Sequence, residues 1–115
     1  MVKRKITKLK NLKFKPFTKY GAPIKGWVWH NISFNKKNNF GIYVSKLKPG
    51  TKTLQHIHSG IEEFLILRGE LIDSDGKIFK KGDLITYGPN TMHSSFTKKG
   101  CLILTFMRGH NKIVK

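Results

Sequence analysis

Between Gly50 and Gly69 the chain reads Gly50-Thr-Lys-Thr-Leu-Gln-His56-Ile-His58-Ser-Gly-Ile-Glu62-Glu-Phe-Leu-Ile-Leu-Arg-Gly69, and no other stretch restricts the fold as much. In a strand successive side chains alternate faces, so His56 and His58 point one way and Ile57 the other. Their Cα atoms then lie ~6.6 Å apart, close enough for two imidazoles to lean toward one ion. Ser59-Gly60 supplies turn chemistry. The chain re-enters a strand in which Glu62, Phe64 and Ile66 share one face and Glu63, Leu65 and Leu67 the other. A carboxylate leading an apolar face is costly unless it is paired or metal-bound. That shared face favours Glu62 over Glu63 as the functional carboxylate and leaves Glu63 at a solvated rim. A third histidine, His93, follows a second segment marked by glycine and proline. Three imidazoles and one carboxylate are donors suited to a divalent transition metal. The expectation is a small metal-binding β-barrel.

The rest of the chain agrees with an all-β fold. Runs rich in strand formers recur at 27–34, 40–45, 63–71, 83–87, 93–96 and 101–107. Clusters such as Asn38-Asn39, Pro49-Gly50, Ser74-Asp75-Gly76 and Lys80-Lys81-Gly82 separate them, a rhythm typical of sandwiches and barrels. Asp75-Gly76 between Ile72 and Ile78 predicts a tight hairpin turn. At 115 residues one core is expected.

These motifs resemble those of the cupin superfamily. Gly50 to Glu62 to Gly69 follows the first cupin pattern: Gly, five residues, His-x-His, three residues, Glu, six residues, Gly. The segment from Gly82 through Pro89 and His93 to Thr97 is similar to the second pattern, with three departures. Six residues precede Pro89, Thr91 replaces a glycine, and Thr97 stands where asparagine is usual. The resemblance implies an all-β cupin barrel, a double-stranded β-helix or jelly roll, with His56, His58, Glu62 and His93 as metal ligands. A narrower likeness, to the ChrR-like cupins, rests on His56 to Glu63, Gly69-Glu70, Pro89 to His93 and Gly100-Cys101, with Trp27 or Trp29 near the start. It covers roughly residues 26–108. Members of that group include zinc-binding halves of anti-sigma factors and proteins resembling iron-dependent, acetylacetone-cleaving dioxygenases. The former act largely through an N-terminal helical zinc domain, for which these residues hold no Cys/His cluster. The latter use three histidines without the glutamate that is kept here as Glu62.

The domain reading follows: a basic N-terminal segment at 1–25, with 6–17 able to form an edge or swapped strand; a cupin barrel at 26–108; and a basic tail at 109–115. The formal net charge is +17, and the first 61 residues carry no carboxylate. An anionic partner is one explanation. Lysine far outnumbers arginine, however, and no aromatic-interleaved nucleic-acid motif is present, so nucleic acid is not the expected partner. No apolar run fits a membrane span or a signal peptide, and the single Cys101 reads as a small buried hydrophobe; a cytoplasmic protein is expected.

Face alternation nominates pocket neighbours: Tyr43, Gln55, Phe64 and Ile66, then Tyr87, Met92, Phe96 and Phe106. His30 and His110 fall outside both motifs and are expected at the surface. Two function classes stand open. With Fe(II), Mn(II) or Ni(II), three histidines and a glutamate leave positions for a small oxygenated substrate such as a diketone, as in a dioxygenase-like enzyme. With Zn(II) the same donors close a tetrahedral site, as in a non-catalytic metal- or ligand-binding sensor module. Homodimer formation is expected from the resemblance.

Overall fold

The computed structural model describes residues 3–114. Apart from one 3-10 turn at Leu9–Asn11, its regular elements are strands: β1 (Lys15–Pro16), β2 (Trp27–Asn31), β3 (Phe40–Leu47), β4 (His56–His58), β5 (Ile61–Asp73), β6 (Ile78–Lys80), β7 (Leu84–Tyr87), β8 (Met92–His93), β9 (Ser95–Phe96), β10 (Cys101–Arg108) and β11 (Asn111–Ile113). Every pairing is antiparallel. The large sheet runs β1-β2-β3-β10-β5-β6, with β7 and β9 also paired to β5; a smaller sheet runs β11-β4-β8. The fold is a jelly roll whose two sheets stay separate hydrogen-bonded ladders, so the barrel is not closed by continuous pairing.

Strand β5 is the spine. At 13 residues it reaches β10 along one edge and β7, then β6 and β9, along its length. Its register with β10 slips between Leu102, opposite Arg68, and Ile103, opposite Ile66. This irregularity resets the alternation. Glu62, Phe64 and Ile66 are buried before it, Leu71 and Asp73 after it. Gly69 sits beside the slip with φ +80°, and a Cβ there would stand 2.1 Å from the Gly100 carbonyl oxygen. Only glycine combines that conformation with that approach.

Two runs read as continuous divide in the structure. The stretch 93–96 becomes β8 in the small sheet and β9 in the large one, so the chain changes sheets at Ser94. The stretch 27–34 ends as a strand at Asn31, whose side chain accepts from Phe34 N at 2.7 Å and donates to Phe34 O at 2.8 Å. That local turn satisfies backbone groups the ladder would otherwise use. The hairpin at 72–78 forms with Gly76 at φ +90° and Ile72 opposite Ile78.

The core has two parts. Leu47, Phe64, Ile66, Leu71, Cys101 and Ile103 fill one end. Phe17, Trp29, Phe34, Tyr43 and Met107 fill the other. Phe17 comes from the basic N-terminal segment yet is fully buried, stacked on Trp27 at 3.8 Å between centroids. Burying such a ring is worth about 1.5–3 kcal/mol, with stacking adding about 0.5–1.5. This anchors β1 against β2 as the edge of the large sheet. At the other terminus, residues read as a tail form β11, which pairs Asn111 with His58 and Ile113 with His56.

Candidate metal centre

His56, His58, Glu62 and His93 are all buried and offer ligand atoms that lie within 4.8 Å of one another. Topology explains the convergence. His56 and His93 are register partners across β4 and β8, and His58 lies two residues along the same face. Glu62 reaches them from the start of β5. The separations are 3.1 Å for His56 Nε2 to His58 Nε2, 3.5 Å for His58 Nε2 to Glu62 Oε1, 3.7 Å for His93 Nε2 to Glu62 Oε1 and 4.0 Å for His56 Nε2 to Glu62 Oε2. An ion with bonds of about 2.1 Å needs neighbouring donors roughly 3.0–3.4 Å apart, which these separations approach.

Each histidine is anchored through its other ring nitrogen. His56 Nδ1 lies 2.9 Å from Leu54 O, His58 Nδ1 2.9 Å from Thr91 Oγ1, and His93 Nδ1 2.8 Å from Asp73 Oδ1. Thr91 Oγ1 donates to Gly88 O at 2.6 Å, so it accepts from His58. In the neutral form of each ring the proton therefore belongs on Nδ1 and the lone pair of Nε2 faces the cluster. This is the outer support that orients metal-binding imidazoles. His93 Nε2 is buried and has no hydrogen-bond partner, an orphan that an ion at the centre would satisfy. The donor set fits a divalent transition metal.

Electrostatics set the protonation the ion would meet. Burial alone would raise the Glu62 carboxyl, but contacts with His58 and His93 and the charge of His56 hold it well below the usual range. Burial pulls His56 down to about 4. Burial also acts to lower His93, but its hydrogen bond to Asp73 and the nearby negative charge of Glu62 prevail and push it up to about 9. Glu63, by contrast, points to the outer face, where it accepts from Thr86 and pairs with Arg108.

His56, Glu62 and His93 border a cavity of about 50 Å³. That holds roughly four water-sized groups. Trp27, Phe64, Leu71 and Ile103 give it apolar walls; Tyr20, Tyr43, Thr53, Ser95 and Thr105 add polar ones. Of the neighbours nominated from sequence, Tyr43 and Phe64 line this cavity. Tyr87 stacks on His58 and His93 from behind, at 5.2 and 4.2 Å, and Ile66 lies in the adjacent core. Gln55, Met92, Phe96 and Phe106 lie elsewhere. Gln55 is exposed and Met92 is 53 % exposed. Phe96 borders a separate hollow, and Phe106 packs on Phe40 across the outer face of the large sheet. The reason is common to the four: each is the immediate neighbour of an inward residue (His56, His93, Ser95 and Thr105), and alternation turns it outward. His30 is half-buried on β2, its Nδ1 accepting from Lys13 N at 3.1 Å, and His110 is exposed.

The sequence reading missed Asp73, which besides His93 accepts from Ser95 Oγ at 2.9 Å and from the Tyr87 hydroxyl. It also missed Asn111, whose Nδ2 donates to Glu62 Oε2 at 3.1 Å. Strand β11 reaches this position because Gly60 and Gly109 touch: a Cβ on Gly60 would stand 2.0 Å from Arg108 O. The two threonines that depart from the motif have structural work. Thr91 orients His58, and the buried Thr97 donates to Glu70 O at 2.7 Å while its backbone bonds Gly50 and Thr51.

No curated protein sequence matches the chain. Among solved structures, an acetylacetone dioxygenase from Acinetobacter johnsonii is similar with TM-score 0.79 and 14 % identity, over 100 % of this chain and 80 % of that one. The polyketide cyclase RemF from Streptomyces resistomycificus gives 0.76 and 19 %, over 100 % and 87 %. The anti-sigma factor ChrR from Rhodobacter sphaeroides, solved with SigE, gives 0.66 and 17 %, over 87 % of this chain and 50 % of that one. At such identities the likeness is one of fold. The sequence itself matches the ChrR Cupin-like domain over residues 2–111, and with the His56, His58, Glu62 and His93 cluster in place the chain belongs to that family.

Proposed function

We propose that this protein is a metal-dependent, dioxygenase-like enzyme acting on a small oxygenated substrate of the diketone kind. The observation that carries this reading is the cavity at the donor cluster: His56, Glu62 and His93 border a space lined by both apolar and hydroxyl side chains. A buried site meant only for structure gains nothing from such a space, whereas substrate sites are concave, mostly apolar and carry a few placed polar groups. Two of the similar folds are named for acetylacetone and polyketide chemistry, and both substrates are built on 1,3-dicarbonyl units.

His56, His58, Glu62 and His93 would hold the ion, with iron the first choice and manganese, nickel or zinc the alternatives. A bound divalent ion would polarise a substrate oxygen, and iron would add dioxygen chemistry. The chain's own contributions are separate. Nδ1 contacts fix the three rings, Glu62 supplies negative charge, and Trp27, Phe64 and Ile103 exclude water from the reacting end. With Cys101 a free buried thiol, we assign the enzyme to the cytoplasm. We also propose a homodimer through the outer face of the large sheet, where Leu84 is 64 % exposed beside half-buried Ile42, Leu65, Leu104 and Phe106.

A zinc- or ligand-binding module, in line with the family, is favoured by a different observation: four buried donors are enough to close a tetrahedral zinc site. Elemental analysis of protein purified without added metal or chelator separates the two. One equivalent of iron, manganese or nickel, lost in His56→Ala and kept in His110→Ala, supports the enzyme. One tightly held zinc with no exchangeable position supports the module, and equal metal in both variants removes the site.

A further inference from the structure

Lys19 lies in neither motif, yet it is only 7 % exposed. Its ammonium sits 3.3 Å from Tyr20 Oη and 4.8 Å from the centre of the Tyr20 ring, within 6 Å of the Phe34 and Tyr43 rings. A buried cation of this kind is costly unless its surroundings use it. Burial lowers it to about 8 against the opposing pull of Glu62, so it is mostly protonated at neutral pH.

Tyr20 lines the same cavity as His56, Glu62 and His93. Its oxygen is also 3.0 Å from Asn111 Nδ2, the atom that bonds Glu62 Oε2. The direction of each bond can be fixed. The ionised Glu62 carboxylate only accepts, so Asn111 must face it with its NH2 group, and that group's second proton goes to Tyr20. The orientation has a visible cost, since Asn111 Oδ1 is left buried without a partner. Lys19 offers only donors. Tyr20 Oη therefore receives two donors, and neither can take its own proton. Among the described residues no acceptor takes that proton, although the phenol is at the edge of a cavity.

Resting on the metal-enzyme reading above, we propose that Tyr20 is a substrate-binding residue whose hydroxyl, backed by Lys19 and Asn111, donates to a negatively charged or enolisable oxygen of a small substrate in this cavity. Two donors on the phenol oxygen polarise its O–H outward. The Lys19 charge behind it favours an oxygen that carries or develops negative charge, and in a recess with apolar walls this preference is less screened than in open solvent. The device is in place before the ligand arrives.

Acetate and acetamide, equal in shape and different in charge, test this by ligand-observed NMR titration of the metal-loaded protein. The unaltered protein should bind acetate more tightly than acetamide. Tyr20→Phe, which keeps the ring, should weaken acetate about ten- to a hundredfold with metal content unchanged and a cooperative unfolding transition retained. Lys19→Met should shrink the preference for acetate over acetamide by about tenfold. Native acetate affinity in Tyr20→Phe, or an intact preference in Lys19→Met, overturns the proposal and leaves the metal reading standing. A native protein without metal in the parallel elemental analysis overturns both.

Discussion

Asp73→Asn tests how far the metal site depends on a residue outside its ligands. Asp73 takes three hydrogen bonds, from His93 Nδ1, Ser95 Oγ and the Tyr87 hydroxyl. Burial would raise its carboxyl, but these partners hold it below the usual range. Asparagine keeps the shape and removes the charge. Two effects on metal affinity then oppose each other. The charge-assisted bond to His93 is worth about 1.5–3 kcal/mol and makes the ring a better donor to the metal, so its loss weakens binding roughly ten- to a hundredfold. The same bond, with help from Glu62, lifts His93 to about 9. Near pH 7.5 the metal must displace that proton, across about 1.5 units or roughly 2 kcal/mol, and the variant is partly relieved of this cost. The sign follows: native affinity climbs as pH rises toward 9, and the variant's climbs less steeply. Competition against a chromogenic chelator over a pH series reads both. The expected result is a small loss near neutrality that widens to its full size above about pH 9.5, where His93 is deprotonated in either protein. Equal affinities at high pH, or parallel curves throughout, would refute the argument, and Asp75→Asn in the adjoining turn should behave as native.

Phe17→Ala should destabilise the fold by about 3–5 kcal/mol in chemical denaturation, because it empties a fully buried ring site packed on Trp27 and Trp29; a loss under about 1 kcal/mol would detach the N-terminal segment from the core. Leu84→Glu places a charge in the outer apolar stripe and should convert a dimer to a monomer in sedimentation velocity, with metal content unchanged. The +17 charge should give only weak, salt-sensitive association with nucleic acid. Tight binding of DNA or RNA near physiological salt would show that the basic surface has a partner of its own.

Which residues were legible in the sequence follows from how far alternation carries. His56, His58 and Glu62 lie within seven residues, on β4 and the start of β5 joined by Ser59-Gly60, so period two and one turn place them together. Asp73 lies eleven residues beyond Glu62, past the register slip at Leu102 and Ile103. Counting from Glu62 by twos puts Asp73 outside, and the slip puts it inside. Phe106 fails for a related reason. Every position of β10 from Cys101 to Met107 except Thr105 is apolar, so hydrophobicity alone does not say which face is the core, and pairing with β3 and β5 decides it. Lys19, Tyr20 and Asn111 sit in lysine-rich end segments without periodicity. They become part of the site only when β1 pairs with β2 and β11 folds over β4. The ligand set is thus local in sequence, while the groups that orient it and face its cavity are gathered from Lys19 to Asn111 by long-range pairing. Motif and chemistry separate at this point. A His-x-His-x3-Glu segment specifies that an ion can be held, but which oxygen meets it depends on side chains the motif does not contain. Substitutions at Lys19 and Tyr20 should therefore change selectivity, and those at Asp73 and Asn111 metal affinity, while leaving the family signature untouched.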